Sequence, residues 1–404
     1  MLIKRSKFQE IKQEIKNNKI TAIIGSRQVG KTTIIKELYN QNKEQSNYIT
    51  FDDPEILKIF QTNIKLFIEQ QVKQYKLLFI DEFQYAKNGG KNLKFIHDTE
   101  NTKIFITGSS SAELTIQSLQ YLVGRINIIE LYPLTFEEFL IYKDSKKEML
   151  LNKVRTQEEL EQLKILFEEY LKYGGYPGVV TSKTKEIELK NLVATYIMKE
   201  IKDVLSFKNI FEYETFIKRI ALQDGGLINK SDIAQTTDIN RNKIEEMLQI
   251  LNKTYIINIV RPFFTNKIKE QIKSPKIYFQ DLGFKNSLIK NFTETTLRQD
   301  KGKIYESFVL NQLIKNDYEV KFWNIKNQHE IDFIIQKNNK IIGIEVKSKL
   351  TSNKITKNLK RFSEEFKPEI IYILNENIDF ERKIGKTKFI FTNHMNISAI
   401  INLL

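Results

Sequence analysis

Over the first 145 residues, short apolar runs alternate with stretches in which apolar positions recur every three or four residues. Lys19–Gly25, Tyr48–Asp52, Leu77–Asp81, Ile104–Gly108 and Ile126–Leu131 read as strands, and their near-continuous apolar character suits strands buried on both faces. Helical periodicity fills the intervals. The alternation predicts an α/β domain built on a doubly wound, mostly parallel sheet. From Gln157 to Phe207 the pattern is helical, broken by Gly174-Gly175-Tyr176-Pro177-Gly178. Such a cluster interrupts any helix, so a hinge within a small helical lid is predicted there.

The next segment carries helices at Phe211–Ala221, Ser231–Thr236 and Arg241–Leu251, the last with Ile244, Leu248 and Leu251 on one face. Strands at Tyr255–Arg261 and Lys276–Phe279 follow, around a basic tip holding Lys267, Lys269 and Lys273. This is the order of a winged helix. The remainder opens with a helix, then strands Val320–Trp323, Glu330–Ile335 and Ile341–Lys347, a helix near 354–366, strand Ile370–Leu374 and a last strand–helix pair. Four regions are expected: 1–145, 146–208, 209–283 and 284–404.

Composition narrows the class. A chain of 404 residues with 41% hydrophobic and 28% charged positions supports several globular cores. The N-terminal MLIKRSKFQEIKQEIKNN is amphipathic and lacks the apolar stretch of a signal peptide, and no apolar run is long enough to span a bilayer. A cytoplasmic protein with no membrane partner is expected. Without cysteine there are no disulfides or thiolate metal sites, and three histidines (His97, His329 and His394) leave no basis for structural zinc. The net charge of +14 would attract a phosphate-rich partner, but lysines spread along the whole chain suit a solvated surface equally well. Charge alone does not choose.

The motifs do more. Gly25-Ser26-Arg27-Gln28-Val29-Gly30-Lys31-Thr32 follows a strand and precedes an amphipathic helix. In that setting GxxxxGK[ST] wraps backbone N–H groups around a phosphate, aims the helix N-terminus at the anion, and supplies a mobile cation in Lys31. Thr32 then offers a hydroxyl to Mg²⁺. The strand Leu77–Ile80 ends in Asp81-Glu82, placing two carboxylates at a sheet edge: Asp81 for the Mg²⁺ shell, Glu82 to orient or deprotonate water. Thr107 and Ser109, in Ile104–Ser110, are candidates to position that water, although Ser109 or Ser110 capping a helix is nearly as good a reading.

Together with Phe51-Asp52-Asp53-Pro54, Gly124-Arg125, Tyr132-Pro133-Leu134-Thr135-Phe136 and Gly174-Gly175-Tyr176-Pro177, these motifs resemble a large group of prokaryotic AAA+-type ATPases. Members carry a C-terminal domain of unknown function with a restriction-endonuclease-like core. The resemblance covers nearly the whole chain. It implies ATP and Mg²⁺ as cofactors, nucleotide-dependent homo-oligomers, and Arg125 as an arginine finger completing a neighbour's site. The alternative for Arg125 is a buried side chain packing the sheet edge. No lid sensor arginine is identifiable.

Near the C-terminus, Glu306 lies on a helix, Glu330 and Asp332 on one strand, and Glu345 and Lys347 on the next, where alternation puts the last two on one face. This order resembles the PD-(D/E)xK nuclease core. The resemblance implies that Glu306, Asp332 and Glu345 hold divalent metal, that Lys347 assists water, and that Glu330 extends the same face. Two alternatives stand beside it: an exposed charged hairpin face, and a nuclease-like fold retained for docking without cleavage. Residues 284–404 carry 21 Lys/Arg against 14 Asp/Glu, which favours a phosphate-rich substrate only mildly. Trp323, on a strand pattern, is expected in the core.

Two functions fit: an ATP-driven hydrolase acting on DNA with a nuclease-like effector, or a nucleotide-dependent switch whose accessory domains bind protein partners. In the first, Arg241, Asn242 and Lys243 at the start of the third helix are the expected DNA contacts.

Overall fold

Five strands form the N-terminal sheet: β1 (Ile20–Gly25), β2 (Ser46–Thr50), β3 (Leu77–Asp81), β4 (Lys103–Ser109) and β5 (Ile126–Glu130). They pair in parallel throughout, in the order β2-β3-β4-β1-β5. Ile23, Phe79 and Phe105 face one core, while Ala22, Leu78, Ile80 and Ile106 face another. Burial on both faces explains the unbroken apolar runs in the sequence. Because the strands are parallel, the carboxyl ends of β1, β3 and β4 lie at one edge, where ligands of open α/β sheets bind.

The computed structural model describes residues 3–87, 89–109, 120–144, 156–204, 210–264, 270, 273–325, 329–337 and 340–403. Ser110, Lys267 and Lys269 lie outside these residues, as do the side chains of Ser109 and His329.

After β5, the Thr135 hydroxyl and the Glu138 carboxylate cap each other's backbone N–H and start the helix Phe136–Lys143. The segment expected to form a lid comprises helices Gln157–Tyr173, Pro177–Thr181 and Lys185–Val204. The expected break falls at Gly174-Gly175, and this corner is buried and firmly held. Gly175 N–H donates to the Asp281 carboxylate at 2.7 Å, and its carbonyl accepts from Leu134 N–H at 2.7 Å. A Cβ on Gly175 would stand 2.4 Å from the Leu134 carbonyl oxygen, so only glycine permits this approach.

Helices Ile210–Leu222, Lys230–Thr237 and Arg241–Lys253 come next, with Ile244, Leu248 and Leu251 buried together. The short strand β6 (Gly226–Leu227) and β7 (Ile257–Pro262) both pair antiparallel with β8 (Lys276–Phe279). Their sheet does not end there. β7 runs parallel to β9 (Val320–Ile325) at Arg261↔Lys321 and Pro262↔Phe322. The C-terminal strands β10 (His329–Lys337), β11 (Lys340–Val346), β12 (Ile370–Asn375), β13 (Phe380–Ile384) and β14 (Thr387–Asn393) continue it. The result is one nine-stranded sheet ordered β13-β14-β12-β11-β10-β9-β7-β8-β6.

Two features depart from the sequence reading. The boundary expected at 283/284 falls inside a helix, Leu282–Leu288, capped by Asp281. Its Asn286 amide donates to the carbonyls of Leu171 and Lys172 on the lid. At seven residues it is too short to show a helical period. The unexpected strand β13 is a largely exposed edge whose charged residues hide any apolar alternation. Trp323 is buried against Phe362 and Phe366.

Candidate functional site

The phosphate loop joins β1 to the helix Lys31–Gln41. Gly25 passes so close to the next segment that an added Cβ would stand 2.0 Å from the Leu131 carbonyl oxygen. Gln28 (φ 63°) and Gly30 (φ 100°) are left-handed, and together they turn the loop back on itself. Gly30 has no capping side chain, so the helix presents its first N–H groups to an incoming anion. Lys31 is buried, its ammonium donating to the carbonyls of Gly25 (2.9 Å) and Ser26 (2.8 Å). These bonds hold the cation inside the loop, where a phosphate would meet it.

Across the sheet edge, the Thr32 hydroxyl donates to Asp81 Oδ1 at 3.1 Å. The other Asp81 oxygen accepts from the Tyr48 hydroxyl at 2.9 Å, and Thr107 also donates to the carboxylate. Burial, and then the Asp81 charge, hold the Tyr48 phenol far above its ordinary value, so it stays protonated as a donor. A hydroxyl and a carboxylate oxygen in contact beside the phosphate loop are oxygen donors of the kind a Mg²⁺ ion takes, with phosphate and water oxygens needed to complete its octahedral shell. Glu82 follows in a left-handed conformation (φ 56°) that costs a non-glycine residue on the order of 1 kcal/mol. Its N–H donates to the Thr107 hydroxyl at 3.1 Å, and its carboxylate is held by the Gln84 amide. Thr107 therefore bridges Asp81 and Glu82 across β3 and β4. Ser109 ends β4 opposite Gly25.

Arg125 is 37% exposed at the side chain and pairs with Asp98 at 2.7 Å. It is not the buried sheet-edge side chain weighed as its alternative.

Sequence reasoning missed the groups around the loop. A cleft of about 720 Å³ opens beside it, lined in part by Ile3, Phe8, Val29, Ile34 and Pro177. Arg5 joins three segments here: it donates to the carbonyls of Val29 (2.7 Å) and Tyr132 (2.5 Å) and to Glu138 (3.2 Å). Burial opposes ionisation of Glu138, but Arg5 and the N–H groups of Thr135 and Ser6 hold its carboxyl below the usual range. Tyr176, from the lid corner, donates to Ser26 Oγ in the loop at 3.2 Å. The N-terminal amphipathic segment and the Gly-Gly-Tyr-Pro run were the available signals.

In the C-terminal sheet, β10 and β11 pair with Phe333 opposite Ile344, which sets Asp332 against Glu345. Asp332 accepts the Val346 N–H at 2.7 Å, and Glu345 pairs with Lys347 at 2.6 Å. Glu306 accepts from Lys303 (2.9 Å) and from the Tyr278 hydroxyl (3.2 Å). Burial, with the Asp332 charge adding to it, pushes the Glu306 and Glu345 carboxyls well above the usual carboxylate range. Burial opposes the Lys347 charge, but Glu345 and Asp332 hold its ammonium above the ordinary lysine value. Lys276 of β8 stands among these carboxylates and pairs with Glu330. Among the described residues, no three carboxylate or imidazole groups converge in a manner that would hold a metal ion. The arrangement is a mixed cluster in which lysines stand beside closely spaced acids.

Arg241 and Asn242 are exposed at the start of their helix; Lys243 is partly covered and pairs with Glu212. Lys273 is exposed. Among the described residues, no helix is long and apolar enough to cross a membrane.

Residues 17–140 match the family described as AAA domain, while residues 164–295 and 301–391 match two domains of unknown function, DUF8612 and DUF4143. The chain is 29% identical over 354 residues to an uncharacterized protein of Methanocaldococcus jannaschii, covering 82% of this chain and 75% of the relative. It is 26% identical over 393 residues to an uncharacterized protein of Haemophilus influenzae, covering 92% and 93%. Among solved structures it is similar to the Thermotoga maritima RuvB Holliday junction branch migration motor, at 13% identity and TM-score 0.33 over 63% of this chain and 89% of that one. It is also similar to the replication initiator DnaA bound to AMPPCP and single-stranded DNA, at 16% identity and TM-score 0.30 over 62% and 90%.

Proposed function

We propose that the protein hydrolyses ATP with Mg²⁺ and uses the cycle to act on DNA in the cytoplasm, a reading supported by the match of residues 17–140 to an AAA domain. The observation that carries the hydrolytic part is the meeting of Lys31, Thr32, Asp81 and Glu82 at one sheet edge. Thr32 and Asp81 would hold Mg²⁺, which when bound neutralises phosphate charge. Lys31 leaves the Gly25 and Ser26 carbonyls for the β- and γ-phosphates, and the loop N–H groups bind the same oxygens. Glu82, released from Gln84, accepts the proton of the attacking water, while Thr107 keeps Asp81 and Glu82 in register. The cleft beside Val29 takes the nucleotide base, and Arg125, exposed on the surface, reaches the site of a neighbouring copy in an oligomer.

Residues 209–283 act as a winged helix that contacts DNA through Arg241, Asn242 and Lys243. Glu306, Asp332, Glu345 and Lys347 form a latent nuclease-type cation site, with Glu330 at its margin. The lysines already standing among these acids favour a second reading, in which the C-terminal sheet is a docking scaffold and ATP drives a switch. An ATPase assay with and without duplex and single-stranded DNA separates the two. DNA-stimulated turnover supports the first. Slow turnover indifferent to DNA, with a nucleotide-dependent change in mass, supports the second.

A further inference from the structure

Lys276 belongs to β8, outside the C-terminal segment, yet its side chain reaches into the C-terminal carboxylate cluster. It is 4% exposed, crosses the Phe322 ring at 5.2 Å, pairs with Glu330 and ends 4.0 Å from a Glu306 oxygen. Burying an ammonium costs several kcal/mol unless opposite charge surrounds it. A strand position that merely packs is served by an apolar side chain, so the surrounding acids are what retain a cation here. The cluster's other lysines differ. Lys303 and Lys347 have side chains 43% and 44% exposed and can swing into solvent, whereas Lys276 cannot leave unless β8 moves. Two demands stay unmet even so: Lys276 Nζ, which meets Glu330 as an ion pair only, and Glu345 Oε2 are both buried without a hydrogen-bond partner. A buried carboxylate oxygen in that state is a vacant acceptor for a cation.

We propose that Lys276 is an internal competitor for a divalent cation, its ammonium compensating the charge of Glu306 and Glu330 within the cluster that Asp332 and Glu345 complete. The proposal rests on the reading of this cluster as a latent cation site, and it accounts for the absence of a formed one among the described residues. It also identifies the element that must move. β8 leads within two residues to Asp281, whose carboxylate holds Gly175 at the corner between the lid helices. The strand carrying the competitor is thus tied to the lid of the ATPase domain.

The test is calorimetric titration of the full chain with Mn²⁺, comparing wild type with Lys276→Met, Lys276→Gln and Lys276→Arg. Asp332→Asn is introduced in each background, and circular dichroism checks the fold. Lys276→Met and Lys276→Gln are expected to bind Mn²⁺ at least about tenfold more tightly than wild type. Asp332→Asn should abolish that binding. Lys276→Arg keeps the charge and should stay at the wild-type level. If folded Met or Gln variants bind no more tightly than a wild type that does bind, the competitor role is overturned and the cation site stands. Tightening by Lys276→Arg also overturns it. If no variant binds Mn²⁺, both the competitor and the cation site are overturned.

Discussion

Arg5→Met removes one charge and three hydrogen bonds while keeping most of the buried stem. The guanidinium donates to Val29 at the end of the phosphate loop, to Tyr132 beyond β5, and to Glu138. The Arg5 and Glu138 side chains are only 8% and 5% exposed, so water does not replace what is removed. Removing one partner of a buried ion pair costs about 3–5 kcal/mol, because the other charge stays buried. Here Glu138 retains the Ser6 N–H and hydroxyl and the Thr135 N–H, which brings the expected loss to about 3 kcal/mol. Urea unfolding followed by circular dichroism measures it, using the first transition, since a chain of this size unfolds in steps. ATP affinity should fall in parallel, because the Val29 carbonyl loses its tie to the N-terminal segment. The Arg5→Met/Glu138→Gln cycle should show coupling of at least about 1 kcal/mol. A loss below about 1 kcal/mol with additive single effects would refute the reasoning.

Three further outcomes are expected. Arg125→Ala should leave folding and ATP binding unchanged and lose hydrolysis, with partial recovery when it is mixed with a Lys31→Ala protein; normal turnover by an Arg125→Ala monomer ends the oligomer reading. Charge reversal at Arg241 and Lys243 should weaken DNA binding and flatten its salt dependence by about 0.9 for each phosphate no longer neutralised, with Arg241 contributing more because Lys243 is paired with Glu212; unchanged affinity would leave the module to protein contacts. His394, 1% exposed, is pushed down to about 4 by burial. Its stabilising contribution is complete above about pH 6.5 and is lost as pH falls through about 4, by at most about 3 kcal/mol. His394→Gln should therefore flatten the stability profile over that window, and an unchanged slope would show that the imidazole protonates without cost.

The nucleotide edge was legible because its strands announce themselves. β1, β3 and β4 are buried on both faces, so their apolar runs stand out, and Gly25–Thr32 and Asp81-Glu82 sit at their ends. Arg5 was not legible. Its role depends on a chain reversal that brings residue 5 against residues 29, 132 and 138, and no local periodicity encodes that. The same holds for Lys276, which reads as an ordinary strand residue until β7 pairs with β9 and carries β8 over the C-terminal acids. Asp332, Glu345 and Lys347 were readable together from strand order and alternation, whereas Lys276 comes from an element distant in sequence. Thr107 was found by its position on β4, but its partners, Asp81 and the Glu82 N–H, became visible only through the β3–β4 pairing.

The central claim is hydrolysis at the Lys31–Asp81–Glu82 edge. Single-turnover and steady-state measurements with Mg²⁺ and ATP, on wild type, Lys31→Ala and Glu82→Gln, test it most directly. Wild type should turn over, Lys31→Ala should lose nucleotide affinity, and Glu82→Gln should bind ATP as wild type does while hydrolysing it at least about a hundredfold more slowly. Glu82→Gln turning over at the wild-type rate would contradict the account.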